Sequence, residues 1–229
     1  MSRRAGLTIR HLARFRCFLA IANFVLAALL LIVTPLLFFF LGSGYVAIAA
    51  LIFAINFAFC FICAGFIYWG QARRAFQGAL GEEQLEVILG SLVSKGWIIE
   101  YNFPLRRTDA DVFLSSPTGR YYVIDAKSHK GGVVFFDPQF QRLRRRYGTA
   151  VYDFEQGSYG RPKDFLKLVK SQAFQLAQSK HLSWVSPIIC FTGQVVIDSA
   201  ISIDQPLQGV YVVSKSRILY LLDVLERCH

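Results

Sequence analysis

The stretch Asp109-Ala110-Asp111-Val112-Phe113-Leu114-Ser115-Ser116-Pro117-Thr118-Gly119-Arg120-Tyr121-Tyr122-Val123-Ile124-Asp125-Ala126-Lys127-Ser128-His129-Lys130-Gly131 decides the fold. Two β-rich runs flank Ser116-Pro117-Thr118-Gly119, with Pro early and Gly late as a turn requires, so the segment reads as a β-hairpin. Side chains at i and i+2 share a strand face, which makes Asp125 and Lys127 project together. With a loop over 116–120, Ser115 pairs with Tyr121, Phe113 with Val123, and Asp111 with Asp125. Like charges directly opposite one another destabilise a sheet. Two carboxylates so placed call for a cation between them, and an oxygen-only donor set suits Mg²⁺ or Mn²⁺.

Outward from the hairpin, the composition divides the chain. Of 229 residues, 54% are hydrophobic, and the mean hydropathy is +0.41. Both values exceed those of ordinary soluble domains. Residues 1–74 contain seven arginines and no acid, whereas residues 75–229 hold 18 basic and 15 acidic residues. Most of the net charge of +10 therefore belongs to the N-terminal third and says little about nucleic acid. After a basic segment over 1–16, Cys17–Leu41 and Tyr45–Trp69 are each 25 residues without a charge. Each is about 37 Å long as a helix, enough to cross a hydrocarbon core of about 30 Å with tilt.

The reading is a two-helix transmembrane hairpin over 17–70 that touches the lipid bilayer through residues 17–69. Arginines flank its distal ends and none lies in the turn. The positive-inside rule then puts both termini in the cytoplasm, as a multi-pass protein of the inner (cytoplasmic) membrane. Asn23 and Asn56 lie at different depths, so each is left to bond backbone or a neighbouring protomer. A homo-oligomer or a membrane complex is the partner this implies. With no ionisable group inside either span, the hairpin reads as an anchor rather than a transporter. The five cysteines form no disulfide framework, which fits a reducing compartment. Cys60 and Cys63 lack a second ligand pair and read as helix packing.

The soluble part, 74–229, should begin with a helix over 77–92 that carries Glu82, Glu83 and Glu86 and ends at Gly96. Strands are expected at Trp97–Tyr101, in the central hairpin and at Val133–Phe136. Gln139–Pro162 reads as irregular, basic and aromatic. A helix should start at Pro162 as an N1-type proline and run to about Lys180. Pro187–Phe191, Val195–Asp198 and Val210–Val213 read as strands, and Ser214 should cap a last helix through Leu225. The order predicts an α/β fold, a mixed sheet flanked by helices.

Gly78-x-x-Gly81-Glu82 opening a helix, Asp111 six residues before Pro117, Pro-x-Gly leading into Tyr-Tyr-Val-Ile-Asp-Ala-Lys, Gln172-Ala173 and Pro187-Ile-Ile-Cys-Phe191 occur in that order. Together they resemble the nuclease-related domain (NERD), a branch of the PD-(D/E)XK nuclease superfamily with a restriction-endonuclease-like fold. The resemblance covers roughly 74–225. It implies that Asp111 and Asp125 are metal ligands, Lys127 the catalytic lysine, Glu82 the helix carboxylate and Gln172 a polar residue near the site. The family mostly has Glu where this chain has Asp125, a shorter arm that draws the metal inward.

Phosphodiester hydrolysis fits those residues. A metal between two carboxylates acidifies water and neutralises charge as the phosphorane forms, while a lysine orients or deprotonates that water. The implied protein is a metal-dependent nuclease with DNA ahead of RNA as substrate. Its rivals are a catalytically silent nucleic-acid-binding module and an assembly protein, each held at the membrane. Glu83 competes with Glu82 for the helix role, and Asp109 with Asp111. An Asp-x-Lys pair alone is more often a solvated cross-strand salt bridge. Arg142, Arg144, Arg145 and Arg146 suit either nucleic-acid phosphates or anionic lipid headgroups. His129 has no evident partner in the sequence.

Overall fold

The computed structural model describes residues 7–41, 44–106, 109–154 and 162–227. Arg3, Arg4, the turn residues Gly42 and Ser43, Tyr159 and Cys228 lie outside them. The chain forms two compact units, divided between Ala79 and Leu80. The N-terminal unit holds α1 (Leu7–Leu41) and the first part of α2 (Tyr45–Val93). Both helices are long and apolar enough to cross a membrane. The span expected at 45–69 and the helix expected at 77–92 are one continuous helix, because the change to polar composition at Gln71 brings no helix-breaking residue.

Small residues make the seam between α1 and α2. Ala13, Ala20 and Ala27, spaced by seven, are buried on α1, as are Ala58 and Ala72 on α2. Gly65 completes that second series; a Cβ there would lie 2.6 Å from the Phe24 ring. Phe24 and Phe66 meet edge-to-face at 5.3 Å between centroids. A seven-residue repeat of small side chains lets two helix backbones approach along one line. The two amides satisfy themselves within their own helices, Asn23 donating to Leu19 O at 2.7 Å and Asn56 to Ile52 O at 2.8 Å.

The second unit is built on a five-stranded sheet, ordered β1 (Ile98–Pro104), β2 (Asp109–Ser115), β3 (Tyr121–Lys127), β7 (Ser186–Phe191), β9 (Tyr211–Ser214). The β1–β2 and β2–β3 pairs are antiparallel, and the β3–β7 and β7–β9 pairs parallel. The central hairpin has the expected register, with Phe113 opposite Val123 and Ser115 opposite Tyr121.

Alternation along the strands sends side chains to two cores. Phe113, Val123 and Ile189 pack under α3 (Phe165–Ser179) with its Leu166, Val169 and Leu176. Val112, Leu114, Ile124 and Ile188 pack against Leu85 and Leu89 of α2 and against Ile218 and Leu221 of α4 (Ile218–Arg227). Leu85 and Leu89 carry the buried face of this part of α2, while Leu80 and Val87 are exposed.

Three local expectations are corrected. Gln139–Pro162 is not irregular throughout: Arg142–Tyr147 (β5) and Ala150–Asp153 (β6) form a hairpin. They join β4 (Val133–Asp137) and β8 (Val196–Ile197) in a separate four-stranded sheet, so there are two sheets and not one. Helix α3 starts at Phe165, after Asp164, whose carboxylate accepts from Lys167 N at 3.2 Å. An Asp N-cap satisfies an orphan amide, which a proline at N1 does not. Ser214 precedes a 3₁₀ turn (Lys215–Arg217) and makes no side-chain cap bond.

Candidate active site

The parallel strands β3 and β7 run side by side, Lys127 opposite Phe191, and finish at the same end. Open α/β sheets present ligand sites beyond the carboxyl ends of such strands. Lys127 Nζ lies 2.9 Å from Asp125 Oδ1 and 2.8 Å from Oδ2, so the ammonium straddles the carboxylate. Asp125 is only 2% exposed. The lysine is held from its other side by the face of Phe165, 4.9 Å from Nζ to the ring centroid. A buried charge pair anchored at both ends is not the solvated salt bridge the dipeptide alone suggests.

Asp111 occupies a break in the sheet. Neither the β1–β2 ladder nor the β2–β3 ladder includes it. On one side Asn102, which would face it, has φ +50°, a left-handed conformation that asparagine tolerates better than most residues. On the other side the Asp111 carboxylate itself accepts from Ala126 N at 2.7 Å. The side chain thus replaces a backbone acceptor and is fixed beside Asp125. Burial, then the Asp125 charge, push the Asp111 carboxyl well above the ordinary range. Lys127 opposes the shift, Glu82 adds to it, and the Ala126 amide bond lowers it. Four of the expected residues therefore interact electrostatically at one place.

Glu82 arrives from α2 through a close helix–strand approach. A Cβ on Gly81 would lie 2.4 Å from Thr192 Oγ1 and 2.9 Å from Ser128 Cβ, the residues directly after β7 and β3. Only glycine lets the helix sit that close, and the next residue is then the carboxylate, 8% exposed. Gln172, 2% exposed, donates from Nε2 to Asp109 O at 3.0 Å. It braces the start of β2 two residues from Asp111.

Sequence reasoning missed Thr192 and Asn102. Thr192 is 2% exposed, its amide donates to Lys127 O at 3.0 Å, and its hydroxyl has no hydrogen-bond partner among the described residues. The Thr192-Gly193 pair after an apolar strand was the available signal. For Asn102 there was none, since nothing local marks a left-handed residue inside a strand. His129 stacks on Phe154 and Phe165, at 4.8 and 5.9 Å between centroids.

The four arginines lie on β5, in the four-stranded sheet. On β5 they alternate, and one face is matched by acids. Arg142 meets Asp153 at 3.0 Å, Arg144 meets Asp137 at 2.9 Å and Asp153 at 3.0 Å, and Arg146 lies 3.9 Å from Asp198. Arg145 projects the other way, over Tyr147 at 4.8 Å and Phe154 at 5.8 Å.

A profile described as nuclease-related domain matches residues 77–192, more than half of the chain. The chain belongs to the NERD family. No curated protein and no solved structure matches it. The NERD match begins just before Gly78-x-x-Gly81-Glu82 and ends on Thr192, so it spans Glu82, Asp111, Asp125, Lys127 and Gln172. A NERD chain has a nuclease-related function with nucleic acid as its substrate class.

The donor set suits a hard divalent cation. Asp111, Asp125 and Glu82 supply three carboxyl groups beside the single ammonium of Lys127 in a largely buried place. No three His, Cys, Asp or Glu side chains converge as a ready-made metal cage among the described residues. Mg²⁺ does not require one, because it keeps several waters and uses one or two carboxylates with substrate phosphate.

Proposed function

We propose that the protein is a membrane-anchored nuclease that hydrolyses phosphodiester bonds on the cytoplasmic side with Mg²⁺ or Mn²⁺, acting on DNA ahead of RNA. The observation that carries this reading is the buried Asp125–Lys127 pair beside Asp111, at the carboxyl ends of β3 and β7. In the proposed site Asp111 and Asp125 hold the ion. A bound divalent ion supplies charge neutralisation and a water of lowered pKa. Lys127, kept in place by Asp125 and Phe165, orients the attacking water at Nζ. Glu82 holds that lysine or the outer waters, and Gln172 fixes the backbone from which Asp111 projects. The apolar helices α1 and α2 are the proposed anchor.

With Arg142 and Arg144 ion-paired, the phosphate or headgroup contact falls to Arg145 and to Arg146, the latter's side chain 48% exposed.

The test uses the full-length protein in detergent with single-stranded DNA, duplex DNA, RNA and bis(p-nitrophenyl) phosphate, in Mg²⁺, Mn²⁺ or EDTA. Cleavage should require the metal, and Asp125→Asn and Asp111→Asn should lower it by at least about 100-fold. The metal should raise the parent's stability, by about 2.7 kcal/mol at a hundredfold excess over Kd, and should not raise that of either Asn variant. Lys127→Ala should lose cleavage yet keep the metal-dependent stabilisation. Full activity in Lys127→Ala, or equal metal stabilisation of Asp111→Asn, would overturn the site. Oligonucleotide binding with no cleavage in either metal would make the protein a silent binding module.

A further inference from the structure

At the end of the second unit away from Lys127 lies an apolar groove of about 980 Å³ between α3 and the segment that leads into β7. Its rim carries two aromatic side chains that stack on no other ring among the described residues, Phe174 at 63% and Trp184 at 64% exposure. Lys170, Gln178, His181 and Gln208 line it with them. Residues 167, 170, 174 and 178 recur at helical spacing, so they form one stripe along α3, on the side opposite buried Gln172.

The electrostatics select an anionic partner. No Asp or Glu lines the groove, although Lys167, at the start of the stripe, is paired with Asp164 at 3.5 Å. Lys170 donates to a neutral carbonyl, Gln208 O at 3.2 Å, and has no carboxylate against it among the described residues. The stripe also begins at the catalytic end, because Phe165 of the same helix lies under Lys127. From Lys167 to Gln178 the helix rises about 17 Å. Exposed aromatics beside a basic side chain are how proteins hold unpaired bases, since only an unpaired base offers a face for stacking.

We infer that Phe174 and Trp184, with Lys170, form a stacking platform for a single-stranded segment of nucleic acid leading to the Asp111–Asp125–Lys127 site. The inference rests on the nuclease reading for the identity of the substrate, and its test is independent of cleavage. Binding of a fluorescent oligothymidylate to the full-length protein in detergent is followed by anisotropy in EDTA, where no cleavage occurs. Phe174→Ala and Trp184→Ala should each weaken binding by roughly 5- to 150-fold, the range seen when one stacked base is lost. Trp184→Phe and Phe174→Tyr should recover most of it, and affinity for blunt duplex should change less than twofold.

Hydrolysis of bis(p-nitrophenyl) phosphate, too small to reach the groove, reads the nuclease site separately. It should be unaltered in the aromatic variants. Unchanged oligonucleotide affinity in both alanine variants, or an equal loss for duplex, overturns the platform whatever the diester assay gives. In proteoliposomes with brominated lipid, quenching that disappears on Trp184→Phe while oligonucleotide affinity holds would assign the groove to the bilayer and overturn the inference too.

Discussion

At the scale of single residues, the site depends on positions that carry no chemistry. Gly81 is the clearest. Its missing Cβ is what lets α2 reach Ser128 and Thr192, and Glu82 comes with it. Gly81→Ala should destabilise the protein by about 1–3 kcal/mol, the usual cost of overpacking, and should lower diester hydrolysis by displacing Glu82. Chemical denaturation and the diester assay check both effects. Adding Thr192→Ala, which removes the nearest atom, should recover part of the stability, a coupling that two independent sites would not show. Wild-type stability in Gly81→Ala would mean that the helix is free to move away. The pairing of Phe113 with Val123 and of Ser115 with Tyr121 was legible because a hairpin register is local: one short loop sets which residues face each other. Asn102 and Thr192 were not, because their importance comes from strands that meet across the sheet.

Among the elements, the β5–β6 hairpin shows where pattern reading fails. Arg142-Leu-Arg-Arg-Arg-Tyr147 has no apolar alternation, so it looks like a solvated segment. It becomes a strand because β4, β6 and the residue after β8 bring Asp137, Asp153 and Asp198 to its guanidinium groups. Helix α4 is tied to the central hairpin in a comparable way. Glu226 accepts from Thr118 at 2.5 Å and from Tyr122 at 2.6 Å, while Arg120 donates to Leu225 O. Burial pushes the Glu226 carboxyl up, but the hydrogen bonds from Thr118, Tyr122 and Ser116 and the Arg120 charge outweigh it and hold it below its ordinary 4.5. Folding therefore favours the ionised form. That stabilisation is fully present above 4.5 and is lost as pH falls through the depressed folded value. Thermal unfolding of Glu226→Gln should show a lower Tm at neutral pH and a weaker decline on acidification than the parent. Parallel pH profiles would remove Glu226 from the latch.

For the whole molecule, the question is how a chain with two such different halves is placed. The N-terminal unit exposes large apolar side chains along both helices, Phe18, Leu29, Ile32, Phe53 and Phe59 among them, whereas the second unit buries its apolar residues in two cores. The first surface suits a hydrocarbon environment and the second suits water. With arginines near both outer ends of the hairpin and none in its turn, we predict that residue 74 and the C-terminus lie in the cytoplasm. A reporter active only outside the cytoplasm, fused after Arg74 or His229, should be silent, and activity at either position would reverse the topology.

The sequence by itself determined the apolar hairpin, the α/β class, the register of the central β-hairpin and the identity of its acidic and basic residues. Each of these follows from hydropathy or from contacts within about twenty residues, where chain geometry leaves few alternatives. Only the tertiary structure decided that α2 runs unbroken from Tyr45 to Val93, that the strands form two sheets, and that Arg142, Arg144 and Arg146 of β5 are matched by acids. It also decided which glutamate reaches the site. Glu82 and Glu83 are adjacent and chemically alike, and Gly81 packed on Thr192 turns Glu82 inward to 8% exposure. Close packing between distant segments resolves such choices, and no local pattern encodes it.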